Sequence, residues 1–554
     1  MTHPFFERHR LLLREAVDAI ASRAYWSAYP EMPSPKAYGE HAATEGKAAF
    51  DGYLDKPFPL EQPATARTTG DERSPYGFRL GVRYPKVEID DVLEAAGRAR
   101  KAWHAAGPAT WAGVCLEILH RLNRRSVEIA HAVMHTSGQS IMMAFQAGGP
   151  HAQDRGLEAV AYAWQELQKI PPHADWEKPQ GKNPPLRMRK TYTAVPRGIG
   201  LVIGCCTFPT WNGYPGLFAS LATGNAVIVK PHPAAILPLA ITVRVAREVL
   251  RDAGFDPNVV MLAAHEAGES MAQDLALRPE VGLIDFTGSS ANGNWLEQNA
   301  RHAQVYTEKS GVNQIVIDST DDLQGMARNI AFSLALYSGQ MCTAPQNIYI
   351  PLGGIDTPDG CVGFHEVAQA IGAAIDRLVA DPARAVEVTG AIQNRAVLER
   401  IDAARHLGEV VADSRPVVHP AFPDACVRTP LFLKMTEVDE SKIMQELFGP
   451  ISLAVATDST AHSLALAGKT ARQHGALTLS LYSRKPEVIA RAREVAAEGG
   501  VSLSINLTGG VYVNQSAAFS DFHGTGANPA ANASLCDTAF VASRFRVVQS
   551  REHV

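Results

Sequence analysis

The chain contains no run of about 18 consecutive apolar residues, so nothing in it reads as a membrane-spanning helix. Excess positive charge is missing too: Lys plus Arg number 52 against 57 for Asp plus Glu, and the net charge of -5 gives no electrostatic reason to bind nucleic acid or anionic lipid. Cysteines are scarce. The seven present are odd in number and never fall in CxxC spacing, which argues against a disulfide framework or a zinc cluster and leaves reduced thiols. His131 and His135 stand four apart on a helical pattern but lack the intervening glutamate of a metalloprotease, so no metal is expected. The first ten residues carry charges where a secretory leader needs an apolar core, and a cytoplasmic location is the expectation. Three glycosylation-like triplets, at Asn506, Asn514 and Asn532, therefore read as chance.

What is present is a large apolar fraction, 46% of 554 residues, enough to bury a substantial core and, at about 150 residues per domain, to form about three structural units. Small molecules are the default partners. Leu13, Val17, Ile20 and Ala24 fall at helical spacing, after which residues 29–77 turn proline- and glycine-rich and read as a wrapping segment. Residues 88–170 are helical in pattern, and Pro171-Pro172 and Pro184-Pro185 bracket a polar connector. From residue 199 short apolar runs alternate with helical stretches, the signature of a doubly wound parallel sheet with its ligand at the carboxyl ends of the strands. A second α/β series runs from Gln314 to about Val513, and residues 539–549 alternate as an edge strand suited to pairing with another subunit.

The chemistry centres on Cys342, in Gly339-Gln340-Met341-Cys342, and on Glu308, in Glu308-Lys309-Ser310-Gly311. A cysteine after a small glycine-containing turn can present its sulfur to a cleft, and a separate carboxylate can deprotonate a thiol or a water beside it. Phe286-Thr287-Gly288-Ser289 followed by Gly293 ends a strand and opens a helix, where backbone N–H groups suit a phosphate. Lys230 ends another strand, within reach of ribose or phosphate oxygens. Cys205 and Cys206 end an apolar strand and read as core packing, and His523 reads as a surface-loop residue.

These segments, with Pro196-Arg197-Gly198-Ile199-Gly200, Leu221-Ala222-Thr223-Gly224-Asn225 and Glu446-Leu447-Phe448-Gly449-Pro450, resemble the aldehyde dehydrogenase superfamily from about Ser74 to Val548. Within it, the N-terminal extension and motif wording resemble the ring-opening aldehyde dehydrogenases of phenylacetate degradation. The resemblance implies a Rossmann-type cofactor domain, an α/β catalytic domain and a small oligomerisation strand region. The units expected are 1–186 (extension and helical part of the cofactor domain), 187–195 (oligomerisation strand), 196–309 (cofactor domain), 310–514 (catalytic domain) and 515–554 (C-terminal loop and strand). It further implies Cys342 as nucleophile, Glu308 as activator of the hydrolytic water, Lys230 on the adenosine ribose, and Gly288, Ser289 and Gly293 near the pyrophosphate. Glu446 and Phe448 would position the nicotinamide ribose and ring, and the loop bearing His523 would line the substrate mouth. The implied substrate is an aldehyde, CoA-linked in the phenylacetate branch, and the implied assembly is a homodimer or homotetramer.

Two departures stand out. Thr207 occupies the position of the family's oxyanion asparagine, and losing such a donor costs on the order of a hundredfold in rate. Pro231-His232-Pro233 lacks the glutamate that many NAD-preferring relatives place after the lysine, so NADP is favoured over NAD. Two other readings stay open: an acylating dehydrogenase that passes the acyl group to CoA, and a scaffold whose catalysis has faded.

Overall fold

A computed structural model describes residues 3–554. Apolar runs such as Ile199–Ile203 and Ala226–Lys230 are buried at every position, as strands covered on both faces must be. They form a five-stranded parallel sheet in the order Val260–Leu262, Ala226–Lys230, Ile199–Ile203, Val281–Gly288, Gln304–Lys309. Chain order reverses between Ile199–Ile203 and Val281–Gly288, which opens a crevice at their carboxyl ends, and the last strand delivers Glu308 to that same end. A seven-stranded sheet follows, in the order Glu409–Ala412, Leu431–Met435, Ile451–Thr457, Pro345–Pro351, Asn313–Ile317, Thr478–Tyr482, Ser502–Ile505. Its pairs are parallel except the first. Cys342 lies just before the central strand Pro345–Pro351, so the two sheets supply the carboxylate and the thiol to one cluster of side chains. The fold is the α/β, parallel-sheet architecture that the sequence predicts.

The N-terminal helix Pro4–Ser22 buries Phe5, Phe6, Leu13, Ala16 and Ile20 against the helices Pro108–Asn123 and Pro150–Gln168. It stops before Ala24, because Arg23 turns left-handed at φ 54°. The extension is thus a layer of the main core.

The polar connector folds instead as a hairpin, His173–Gln180 with Asn183–Pro196. Its strands are largely exposed on both faces and carry no apolar alternation for a sequence reading to find. Pro184 and Pro185 are tolerated because the third strand, Phe545–His553, pairs only as far as Met188 and leaves the hairpin tip two-stranded. The edge strand expected over 539–549 is likewise shifted. Asp537 caps a short helix, Thr538–Ala542, by accepting from Phe540 N at 2.8 Å, and the strand begins at Phe545.

At that junction Arg544 is fully buried and grips Asp285 with both terminal nitrogens, at 2.8 and 2.5 Å, while also donating to Ser220 Oγ at 2.8 Å. Gly216 makes the room: a Cβ there would stand 2.4 Å from the Asp285 carboxyl carbon. Removing one partner of such a pair strands the other charge in apolar surroundings. Arg544→Met is expected to cost about 3 kcal/mol in urea unfolding, and adding Asp285→Asn should restore part of it. Equal stability of Arg544→Met and wild type would show that the pair contributes nothing.

Candidate active site

The helix Leu323–Ala335 leads into a tight turn in which Tyr337, Ser338 and Gly339 all adopt left-handed backbone, at φ 51°, 50° and 59°. Gly339 is required there, since a Cβ would stand 2.2 Å from Gly449 O. The turn is pinned from several sides. Gln340 Nε2 donates to Ala391 O at 3.0 Å, Gln340 Oε1 accepts from Gln393 N at 3.0 Å, and Ser338 Oγ donates to Thr389 O at 3.1 Å. Asn313 Nδ2 donates to the Cys342 and Ala344 carbonyls at 2.7 and 3.1 Å, while its Oδ1 accepts from Leu477 N and Thr478 N. Cys342 therefore sits on a braced loop, half-buried, in the wall of a cavity of about 860 Å3.

Glu308 is 4% exposed and shares this site. His523 Nε2 lies 3.1 Å from Glu308 Oε1 and 3.8 Å from Cys342 Sγ, and the three donor atoms all fall within 4.8 Å of one another. The contact at Oε1 is an ion-pair distance without hydrogen-bond alignment, which leaves that oxygen buried with no hydrogen-bond partner. Asn212 Nδ2 donates to Oε2 at 3.3 Å. Burial alone would raise the Glu308 carboxyl, but the neighbouring His523 imidazole, the Cys342 sulfur and the Asn212 amide outweigh it and hold the group below the usual glutamate value. Burial, then the Glu308 carboxylate, push the Cys342 thiol well above the ordinary thiol range.

The sequence profile described as the aldehyde dehydrogenase family matches residues 82–527. The chain belongs to the aldehyde dehydrogenase family. It is accordingly an oxidoreductase by family. A solved NAD-dependent aldehyde dehydrogenase from Burkholderia multivorans is 68% identical over the whole of both chains, with a TM-score of 0.99. The 1-pyrroline-5-carboxylate dehydrogenase of Bacillus subtilis (strain 168) is 24% identical over 436 residues, 76% of this chain and 78% of that one. The Thermus thermophilus 1-pyrroline-5-carboxylate dehydrogenase structure shares the fold at 22% identity, covering 96% of this chain and 99% of that one, with a TM-score of 0.75.

For this aldehyde dehydrogenase a nicotinamide dinucleotide is the group to test against the crevice. Lys230 ends its strand nearly buried, with its ammonium pushed down to about 8 by burial, and among the described residues it has no ion-pair partner. A buried cation without a counter-ion fits an incoming anion or ribose. Ser289 caps the helix Ser290–Asn299, accepting from Asn292 N at 3.4 Å, directly after Gly288 ends the strand, and Gly293 is buried in that helix. Its N-terminus is a suitable seat for a pyrophosphate. Glu446 is raised by burial, opposed by contacts to Ser310 and Gly311, which ties the Glu446–Phe448 loop to the end of the Glu308 strand.

Thr207 is not brought to the cavity. Its hydroxyl lies 4.0 Å from Cys205 Sγ, and its carbonyl accepts from Gln139 Nε2 at 2.8 Å. Asn212, in the first turn of the helix Pro209–Ala222, lines the cavity instead; its Oδ1 accepts from Cys205 Sγ at 3.6 Å and its amide N–H group faces the site. Sequence reasoning missed Asn212 and Asn313, and the only signal was an amide in the first turn after the predicted strand. His131 and His135 stack with Phe50 in the core, neutralised by burial, with Ser74 Oγ at 3.0 Å from His135 Nδ1. They are packing residues.

Proposed function

We propose that this chain oxidises an aldehyde to a carboxylic acid through a covalent bond to Cys342. The observation that carries the reading is a thiol, a carboxylate and an imidazole gathered within 4.8 Å, with the thiol and the imidazole in the wall of a large cavity. Cys342 Sγ attacks the carbonyl carbon, and the carbonyl π pair becomes an oxyanion, to which Asn212 and the backbone at Cys342 are the donors at hand. When bound, the nicotinamide accepts a hydride. Lys230, Gly288, Ser289 and Gly293 would hold the adenosine and pyrophosphate end, and Glu446 and Phe448 the nicotinamide end. Glu308 then takes a proton from the water that attacks the thioester, and the C–S bond breaks. Retention of Glu308 beside the thiol supports hydrolysis over acyl transfer to CoA, and product analysis with and without CoA tests that choice.

Absence of a carboxylate after Lys230 supports acceptance of NADP, and the NAD-dependent Burkholderia relative supports NAD. We read the site as taking both. A nucleotide titration should give dissociation constants within about tenfold of each other; a preference of a hundredfold or more for NAD removes the NADP reading. A dimer or tetramer is proposed through the strand Phe545–His553, whose Val547 and Val548 are 48% and 56% exposed, and light scattering decides it.

The cavity supports a bulky substrate. Tyr25, Trp26, Ser27 and Glu31, all preceding the family-matched region, form part of its lining. Ser27 Oγ donates to Asp154 at 2.6 Å, Trp26 meets Phe519 edge-on at 4.7 Å, and Arg23 lies 3.7 Å over the Phe522 ring. Tyr25→Ala is expected to raise KM for an aromatic or long-chain aldehyde about fivefold, the loss of one aromatic contact, with a smaller change for acetaldehyde. Equal effects on both remove the extension from the substrate wall. The lining also bears Glu31, Asp154, Glu387 and Asp521 against Arg384 and His151, with Asp154 pushed up to about 7 by burial. That balance opposes the phosphates of CoA, so of the ring-opened semialdehydes that the phenylacetate resemblance implies, a free one suits the lining better than a CoA-linked one. Comparing kcat/KM for the two forms tests this, and a CoA-linked preference overturns it.

A further inference from the structure

We propose that His523 is a third catalytic residue of this site: it takes the Cys342 thiol proton and holds the resulting thiolate as an imidazolium partner. The proposal rests on Cys342 being the nucleophile, and it adds what makes that sulfur nucleophilic. Burial and the Glu308 carboxylate both oppose a thiolate at Cys342, so the site needs a cation within reach of the sulfur. His523 Nε2, at 3.8 Å, is the group placed to be one.

Its position is fixed. His523 is 4% exposed, its backbone pairs with Leu535 in both directions, at 2.8 and 3.4 Å, and its ring meets Trp211 edge-on at 4.6 Å. Trp211 is in turn backed by the Arg155 guanidinium, 5.1 Å from its ring, and Arg155 donates to the Asp521 and Leu535 carbonyls and pairs with Glu158. The titratable and charged groups packed about the imidazole are therefore Cys342 and Glu308 on one side, Asp521 on its own segment, Arg155 behind Trp211, and Cys205 beyond Asn212. One nitrogen of a held ring faces both the nucleophile and the water-activating carboxylate. A residue that only filled space would not need that edge turned inward.

The proton balance gives each group one task. The S–H proton moves to Nε2 before the aldehyde arrives, and the S–C bond then forms with the carbonyl π pair moving to oxygen. A bound oxidised nicotinamide dinucleotide would supply the two-electron acceptor for the hydride, the aldehyde carbon being oxidised to the thioester. Water adds, Glu308 takes its proton, and the C–S electron pair returns to sulfur beside the imidazolium that never gave up its proton. Glu308 releases its proton to solvent, and the ion pair is restored. Were Glu308 the acceptor of the thiol proton, it would have to release that proton to solvent before the water step.

The test reads the sulfur without aldehyde or nucleotide, so that it stands apart from whether any aldehyde is oxidised. Iodoacetamide labelling of Cys342 is followed by mass spectrometry of its peptide, because exposed Cys361 also reacts. Wild-type protein is compared with His523→Gln across neutral to alkaline pH, with thermal melting to confirm folding. The expected result is a labelling rate at least about tenfold lower in the variant at neutral pH, its midpoint moved at least one pH unit upward, and the two rates converging in alkali. Superimposable profiles overturn the proposal. Should His523→Gln fail to fold, the wild type decides alone: the ultraviolet thiolate absorbance lost in Cys342→Ala should be present below neutral pH, and its appearance only in alkali also overturns the proposal.

Discussion

Replacing Cys342 by alanine is expected to lower aldehyde-dependent reduction of the nucleotide by about ten-thousandfold or more while nucleotide binding is kept. The size of the effect follows from the lack of a substitute. Burial pushes the neighbouring thiols up, Cys205 to about 11 and Cys206 to about 12, and Cys361 is exposed on the hairpin of Ile355–Thr357 and Gly360–Val362, outside the cavity. Among the described residues no other cysteine combines access with a neighbouring carboxylate and imidazole. Nucleotide binding is kept because Lys230 and Ser289 belong to the five-stranded sheet and its helices, whereas Cys342 precedes a strand of the other sheet. Initial rates by nicotinamide absorbance and a fluorescence titration of the nucleotide measure the two halves. A variant that still reduces nucleotide at a tenth of the wild-type rate removes covalent catalysis at this sulfur. A wild type that neither reduces nucleotide with any of a panel of aldehydes nor binds it would leave the faded scaffold as the better account.

How far the site was legible in the sequence depends on how local each contribution is. Cys342 and Glu308 stand in short segments whose own residues build the turn and the strand end that present them, so the local pattern sufficed. Gly339 in that turn has the left-handed backbone that glycine adopts readily, while the crowding that a Cβ there would meet, 2.2 Å from Gly449 O, comes from a distant segment. His523 and Asn212 were not legible as members of the same cluster, because only the packing of the C-terminal segment against the helix Pro209–Ala222 brings them together. The exposed hairpin at 173–196 was missed for a different reason. Its strands bury no face within one chain, and periodicity reports burial more directly than it reports hydrogen bonding. The doubly wound sheet was read readily, since its strands are buried on both faces and appear as continuous apolar runs.

Glu308→Gln is expected to separate the two halves of the reaction. The amide keeps the shape and the acceptor for Asn212 but cannot take a proton, so formation of the thioester should continue while its hydrolysis slows by about a thousandfold. The visible consequence is one equivalent of reduced nucleotide formed rapidly per site, then an almost flat steady state. Hydroxylamine, which attacks a thioester without needing a base, should restore turnover. The substitution also removes the anion that pushes the Cys342 thiol up, so the midpoint of sulfur alkylation should move to lower pH even as turnover collapses. Opposite signs for sulfur reactivity and turnover are hard to produce by general damage to the fold. Acidity gives the same discrimination in the wild type. The Glu308 carboxyl is held below its usual value, so the base stays ionised through neutral pH, and hydrolysis falls only as acidity passes that lowered point. In the variant that acid limb should be gone from the slow phase. A proportional loss of burst and steady state together would mean that Glu308 serves the thiol and not the water, and the division of labour between Glu308 and His523 would have to be reversed.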